Sequence, residues 1–327
     1  MVKLKVDWTR KKSVICVLGG TGFVGHRLLA RLANQGHRLR VPTRYREDHK
    51  DLLVHPNLEL TQCDIHRQET LDSLFEGCDS VINLVGILNE KGHDGSGFAQ
   101  AHTELTRKVV DSCLQNHVPR LVYLSALNAD GEQGASHYLR SKGKAENIIR
   151  QSGRELAATI LQPSVIFGEG DSFTNRFATL LRILPVFPLA APRARMAPVY
   201  VEDVVSVLMR CLDDQALNGK TLQLCGPQVF SLKEIVQLIA TSMQCRRLVV
   251  GLPDSLSSLQ AAFFEYWPGK PFSRDNYRSL KVHSLCSENG FARTGISPHH
   301  FSRLIPGWLG PAMTRDKRDS ARRVAGR

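Results

Sequence analysis

Short β-branched runs alternate with amphipathic stretches through the first half of the chain. In order they read "SVICVLG", "GHRLLARLANQG", "RLRVPT", "LELTQCD", "TLDSLFEG", "SVINLVG", "ELTRKVVDSCLQNH", "RLVYLSA", a helix carrying Tyr138, and "LAATILQP". Runs with little polar interruption predict strands buried on both faces, and apolar positions at helical spacing predict the helices that cover them. Strand and helix in alternation imply right-handed crossovers and a parallel sheet. The fold class expected is α/β, a doubly wound parallel sheet of the Rossmann type over residues 12–170.

After "QPSVIFGEGD" the pattern loosens and prolines become frequent. "APVYVEDVVSVLMRCL" reads as strand and helix, and "KTLQLCGPQVFSLKEIVQLIA" as strand, turn and helix; both can belong to the main body, whereas 175–195 and 250–310 read as a smaller lobe. The expectation is a substrate or partner lobe over 171–310, interleaved with the main body, and a basic disordered tail over 311–327. The apolar stretch 177–192, interrupted by Arg182 and prolines, is too short to span a membrane. It either lines an apolar substrate mouth or packs as core, the second being the commoner outcome. In "PDSLSSLQAAFFEYWPGKPF", Leu256, Leu259, Phe263 and Tyr266 recur at helical spacing, and Phe264 and Trp267 widen the stripe. Such a stripe is core unless it is exposed, in which case it marks a partner or membrane surface.

Charge sharpens the question of partners. The chain has 43 Lys and Arg against 31 Asp and Glu, a formal +12, and part of the excess lies at the two ends. Solubility alone accounts for such a charge; basic ends also favour an anionic partner such as a membrane surface, an acidic protein or nucleic acid. No aromatic-plus-basic repeat or zinc-finger spacing points to nucleic acid. The lead of Lys3, Lys5, Arg10, Lys11 and Lys12 runs straight into an apolar strand without the segments of a secretory signal. Cysteines 16, 63, 78, 113, 211, 225, 245 and 286 form no CxxC pair, which predicts reduced, mostly buried thiols. No metal site is expected, since His299 and His300 have no cysteine or acidic neighbour in sequence. The location read from these features is cytoplasmic, with peripheral attachment at a membrane as the alternative.

"VLGGTGFVGHRLLARL" places Gly19, Gly22 and Gly25 between a strand and an amphipathic helix. The first glycine permits a tight turn, the second lets backbone approach a pyrophosphate, and the third lets helix pack on strand with its N-terminus aimed at the anion. Cofactor choice is read at the end of the second strand. An acidic residue there would hold a ribose 2′-hydroxyl, but Thr43 and Arg44 occupy the place, with Arg46 behind them and Glu47 and Asp48 slightly displaced. Arginine pairs with a 2′-phosphate, so NADP(H) is preferred over NAD(H). Asp64, after the third strand, is positioned for the adenine, and Asn83 to Gly86 for the floor beneath the cofactor.

Tyr138 and Lys142 lie four residues apart in "SHYLRSKGKAE" and so share one helix face. With the glycine loop, Asp64, "NLVG", this pair and "PVYVEDVV" in order, the chain resembles the short-chain dehydrogenase/reductase superfamily in its extended or atypical branch. Through "GGTGFVG", "YLRSK", "QPSVIFGEGD", "LCGPQVFSLKEIV" and "WPGKPFSRDNYRSL" it is most similar to the family of the nucleotide-binding accessory subunit of respiratory complex I (alpha-subcomplex subunit nine) and its bacterial relatives. The resemblance implies that Tyr138 moves the proton at the substrate oxygen, and that Lys142 binds the nicotinamide ribose and lowers the tyrosine pKa. Ser125 would polarise the substrate carbonyl, although Ala126, Leu127 and Asn128 stand where extended relatives carry further serines. It further implies cofactor contacts at Thr21, Phe23, Val24, Ile65, Val85, Gly86, Pro163 and Ser164, besides the positions already named. Two functions remain open. One is a nucleotide-loaded accessory protein tied to complex I or quinone-related metabolism. The other is an active NADP-dependent reductase, dehydrogenase or epimerase on a small apolar substrate.

Overall fold

The computed structural model describes residues 12–310. In chain order the elements begin β1 (Val14–Leu18), α1 (Phe23–Asn34), β2 (Arg38–Thr43), β3 (Leu58–Gln62), α2 (Gln68–Phe75) and β4 (Ser80–Asn83). A helical turn α3 (Ser96–Phe98) runs through a π-helical stretch, Ala99–Glu104, into α4 (Leu105–Gln115). There follow β5 (Arg120–Leu124), α5 (His137–Gln151), β6 (Ala157–Pro163), β7 (Ile166–Phe167), α6 (Ser172–Ile183), β8 (Val186–Leu189), β9 (Arg195–Met196), β10 (Val199–Tyr200) and α7 (Val201–Asp213). Then come β11 (Thr221–Leu224), β12 (Phe230–Ser231), α8 (Leu232–Ser242), β13 (Leu248–Gly251), α9 (Asp254–Glu265) and α10 (Arg274–Leu280), before short turns to residue 310.

Seven strands form one sheet in the order β11-β6-β5-β4-β1-β2-β3, each pair parallel. The expected doubly wound sheet is therefore present. Every residue of β4 and β5 is buried, which explains why these strands read as unbroken apolar runs. From β1 the chain winds outward through β2 and β3, then returns to lay β4 along the other side of β1. That reversal is the switch point beside which open α/β sheets bind ligands.

The chain divides into two compact units: residues 12–163, 204–224 and 289–296 in the first, and 164–203, 225–288 and 297–310 in the second. It crosses at Pro163 rather than at 170, and it re-enters the first unit twice. The "KTLQLCGPQVFSLKEIVQLIA" stretch is split, with β11 edging the main sheet while β12 and α8 belong to the second unit. Apart from Lys12, the basic ends lie outside the described residues. The second unit has its own core of Phe167, Leu181, Phe187, Ile235, Ile239 and Phe301. The stretch 177–192 contributes Ala178, Leu181, Phe187 and Leu189 to that core.

One expectation about the cysteines fails. Cys225 and Cys286 form a disulfide within the second unit, 61 residues apart in sequence. The other six are free, and Cys16, Cys78, Cys113 and Cys211 are buried. Spacing gave no sign of the pair because tertiary folding, not a local motif, brings the end of β11 and the loop after α10 together.

A buried arginine fastens the sheet of the first unit. Arg120, at the start of β5, donates to the carbonyls of Cys211 on α7 and Ala157 on β6 and to Thr159 Oγ1, at 2.6–3.0 Å. Burial pushes its pKa down, and those acceptors replace the water that the buried guanidinium has lost. Replacing Arg120 with Ala is expected to cost about 2–4 kcal/mol, read as a lower urea midpoint of the full chain. A loss under about 0.5 kcal/mol, the scale of an ordinary surface substitution, would show that the network does not hold in solution.

Candidate functional site

At the end of β1 the chain turns at Gly19, whose φ of +73° is a left-handed conformation that residues with a side chain rarely adopt. A Cβ at Gly19 would stand 3.1 Å from the Val85 nitrogen, so this turn lies against the segment that leaves β4. Gly25, in the first turn of α1, passes so close to the loop that a Cβ would come within 2.3 Å of the Gly20 carbonyl oxygen. The N-cap of α1 is Gly22, and no side chain caps the helix. Thr21, Phe23 and Val24 complete the loop; Val24 is buried, and Arg27 lies over the Phe23 ring.

Lys142 is buried in α5. Its Nζ donates to the Val85 carbonyl at 3.1 Å and the Leu124 carbonyl at 3.0 Å, joining the carboxyl ends of β4 and β5. The Tyr123 ring lies 4.9 Å from the same ammonium. Burial lowers the Lys142 pKa to about 7, against the opposing pull of Glu146. Glu146, one turn on, is itself held by Gln162 and Arg150.

Tyr138, one turn before Lys142, sets its ring edge-on to His102 and Phe98, at centroid distances of 5.5 and 6.1 Å. Burial pushes its hydroxyl up to about 12. The lowered tyrosine pKa implied by the resemblance is thus opposed here: desolvation dominates, and Lys142 spends its contacts on strand-end carbonyls. Ser125, the residue after β5, is buried, and its Oγ has no hydrogen-bond partner among the described residues. Its backbone N–H is fixed on the Leu161 carbonyl, and the Leu127 N–H on that of Pro163.

His102 was not singled out from sequence. It is buried in the π-helical stretch, where Nε2 accepts from the Ile87 N–H at 3.1 Å. Nδ1 therefore carries the proton and donates to Ser141 Oγ at 2.8 Å, which in turn donates to the Tyr138 carbonyl. Burial and then Lys142 press its pKa down to about 2, so the ring stays neutral. It pins the segment after β4 to α5. Its partners lie 15 and 39 residues away, beyond any local pattern.

The remaining predicted positions are placed less centrally. Arg44 follows buried Thr43 at the end of β2, is exposed, and has no ion pair among the described residues. Glu47 is paired with Lys50, a hydrogen bond that holds its carboxyl below the usual carboxylate range. Asp64 accepts from the His66 N–H of its own loop at 2.9 Å, while Ile65 packs on the main core. The Asn83 amide oxygen accepts from Val85 N–H, fixing the approach to Gly86. Ser164 belongs to the second unit, where its hydroxyl meets the carbonyl and hydroxyl of Ser284. In that unit His299 also finds an acidic partner that sequence did not show: Asp203, 2.7 Å from both its N–H and its Nδ1. Among the described residues no group of three potential metal ligands assembles, and no helix is long and apolar enough to cross a membrane.

Several known proteins are similar to the chain. "NADH dehydrogenase [ubiquinone] 1 alpha subcomplex subunit 9, mitochondrial" of Dictyostelium discoideum is 27% identical over 69% of this chain, and the match spans 63% of that relative's length. "Ceramide reductase" of Caulobacter vibrioides is 27% identical over 79% of this chain and 80% of its own. Among solved structures, MoeE5 in complex with UDP-glucuronic acid and NAD superposes with a TM-score of 0.72 at 18% identity, over 93% of this chain and 99% of that one. Residues 15–225, from β1 to the end of the main sheet, match the NAD dependent epimerase/dehydratase family, and the chain belongs to that family.

Proposed function

We propose that the chain binds NADPH at the carboxyl ends of β1, β2 and β4, and that Ser125, Tyr138 and Lys142 carry out proton transfer at a carbonyl or hydroxyl of an apolar substrate of the lipid or quinone class. The observation that carries this reading is Ser125. A buried hydroxyl without a partner costs about 1–3 kcal/mol, a cost that a ligand oxygen beside it would remove.

Two features fit the cofactor. The side-chain-free N-terminus of α1 offers backbone N–H groups and the positive end of a helix dipole to a pyrophosphate. Arg44 is available for a 2′-phosphate, while Glu47 is occupied by Lys50. When bound, the nicotinamide supplies or accepts a hydride. Tyr138, protonated at neutral pH, supplies the proton, and the rise in its pKa from burial is what the bound cofactor and Lys142 would have to offset in the reacting complex. Lys142 has three N–H groups; Val85 and Leu124 take two, and the third is left for a ribose hydroxyl. His102 holds the backbone of both sides of this arrangement in place. An apolar substrate is in keeping with the Caulobacter relative's name.

A second reading, a nucleotide-loaded accessory protein of a complex I-type assembly without turnover, is favoured by the Dictyostelium relative's name and by Ala126, Leu127 and Asn128, which leave Ser125 as the sole serine at that strand end.

Calorimetry of NADPH and NADH binding, followed by NADPH oxidation with short-chain quinones and apolar carbonyl compounds, separates these readings. NADPH is expected to bind the tighter, with Arg44→Ala removing about tenfold of the difference. Tyr138→Phe is expected to keep binding while turnover falls at least about 100-fold. Equal affinities would overturn the cofactor preference, and tight binding without oxidation by any acceptor would leave the second reading standing.

The lowered pKa of Lys142 adds a pH dependence. Its ammonium attracts the anionic cofactor and is lost as pH rises through about 7. NADPH affinity should therefore weaken between about pH 6 and pH 9 in the wild type and stay flat in Lys142→Met. A flat wild-type profile would show that the ammonium plays no part in binding.

A further inference from the structure

The second unit carries an apolar surface that its own core does not use. In α9 the side chains of Ser257, Ala261 and Glu265 are buried, and the opposite face presents Leu256, Leu259 and Phe263 to solvent. Leu259 is 65% exposed and Phe263 60%, and just past the helix Tyr266 and Trp267 are 70% and 52% exposed. Phe263, Phe264 and Trp267 form one aromatic cluster, with centroids 5.4–6.4 Å apart.

The face continues onto the neighbouring strands. β8 and β13 pair in parallel with Val186 beside Leu248 and Pro188 beside Val250. These four residues alternate with buried Phe187, Leu189 and Val249 and are all exposed. α9 leaves β13 directly at Pro253, and Gln260 donates to the Pro188 carbonyl at 3.0 Å, so helix and ribbon adjoin. Ile183, at the end of α6, extends the apolar area.

The charge around this face is predominantly positive. Arg247 is anchored on the carbonyls of Leu181 and Arg182 beside Ile183 and Leu248; Arg182 and Arg246 are exposed, and Lys270 follows Trp267. Within 176–195 and 246–281 there are ten Lys or Arg against Asp254, Glu265 and Asp275. Glu265 and Asp275 are buried, the first in an ion pair with Arg274, so Asp254 is the one exposed acid of these segments. An exposed apolar patch with Trp and Tyr at its edge and arginine around it matches the boundary of an anionic bilayer. There the aromatics sit among headgroups and the guanidinium groups pair with lipid phosphate.

We propose that the second unit docks reversibly on an anionic lipid surface through the Leu259–Phe263–Trp267 face of α9 and the exposed face of β8 and β13, with Arg182, Arg246 and Arg247 meeting the phosphates. The geometry is that of a helix lying along the interface. The proposal is independent of the nucleotide site.

The test is co-sedimentation of the full chain with vesicles of phosphatidylcholine alone and of phosphatidylcholine mixed with phosphatidylglycerol. The proteins are the wild type, a Phe263→Ser/Trp267→Ser double variant and an Arg246→Gln/Arg247→Gln double variant, each checked for an unchanged melting temperature. The wild type is expected to bind the anionic vesicles and to bind the neutral ones far less. Each double variant should lose about tenfold or more in anionic binding. Undiminished binding by both variants would assign the attraction to the basic ends and overturn the proposal. So would equal binding to neutral vesicles, or no binding to either. A wild-type dimer in sedimentation velocity that Phe263→Ser/Trp267→Ser dissociates, without vesicle binding, would assign the face to a second copy of the chain instead.

Discussion

Burying an ammonium group is expensive, and the site of the first unit is arranged around one. Lys142 pays for its position through the carbonyls of Val85 and Leu124, the face of Tyr123 and the field of Glu146. The two carbonyls belong to the segments just past β4 and at the end of β5, so one side chain ties two strand ends to α5. Everything proposed for catalysis depends on that tie. Tyr138 sits one turn away on the same helix, and Ser125 is the next residue after one of the carbonyls. Without Lys142 the Val85 and Leu124 carbonyls would lose the donor they share.

A second constraint is the absence of a side chain at Gly25. With the backbone of α1 that close to Gly20, any Cβ would force the helix away from β1 and withdraw its N-terminus from the switch point. This close approach and the Lys142 bridge meet at one place, because the turn at Gly19 lies on the same Leu84–Val85 segment whose carbonyl Lys142 holds. The glycine loop and the Tyr138–Lys142 pair are therefore positioned by a shared piece of backbone. His102 fixes its far end at Ile87.

These arrangements were legible in sequence to different degrees, and for a physical reason. Strands buried on both faces must be largely apolar, and a turn with positive φ beside a helix start demands glycine, so β1, β4, β5 and β6 and the loop at Gly19 to Gly25 left their mark on local composition, while β2 and β3 show instead as alternation of buried and exposed positions. The four-residue spacing of Tyr138 and Lys142 is equally local. His102 is held by partners 15 and 39 residues away, Cys225 joins Cys286 across 61 residues, and His299 meets Asp203 across 96. Each is an ordinary residue until the fold supplies its neighbour. The stripe in α9 was visible as a stripe, but periodicity measures amphipathicity and not which face meets solvent. Only the burial of Ser257 and Ala261 decides that the aromatic side points outward.

The environment moves the two titrating groups of the site in opposite directions, Tyr138 up to about 12 and Lys142 down to about 7, and both shifts favour the uncharged form. A tyrosinate beside an ammonium would be the pair expected of a site prepared to abstract a proton. The arrangement here is a protonated phenol beside a lysine that gives up its charge readily. The sign also follows for the ligand: an anion or a hydroxyl acceptor near Lys142 would restore its proton, and the restored charge would in turn stabilise developing negative charge on Tyr138. In the proposed reaction, cofactor binding and proton transfer would be coupled through this one ammonium, by a linkage that needs no movement of the backbone.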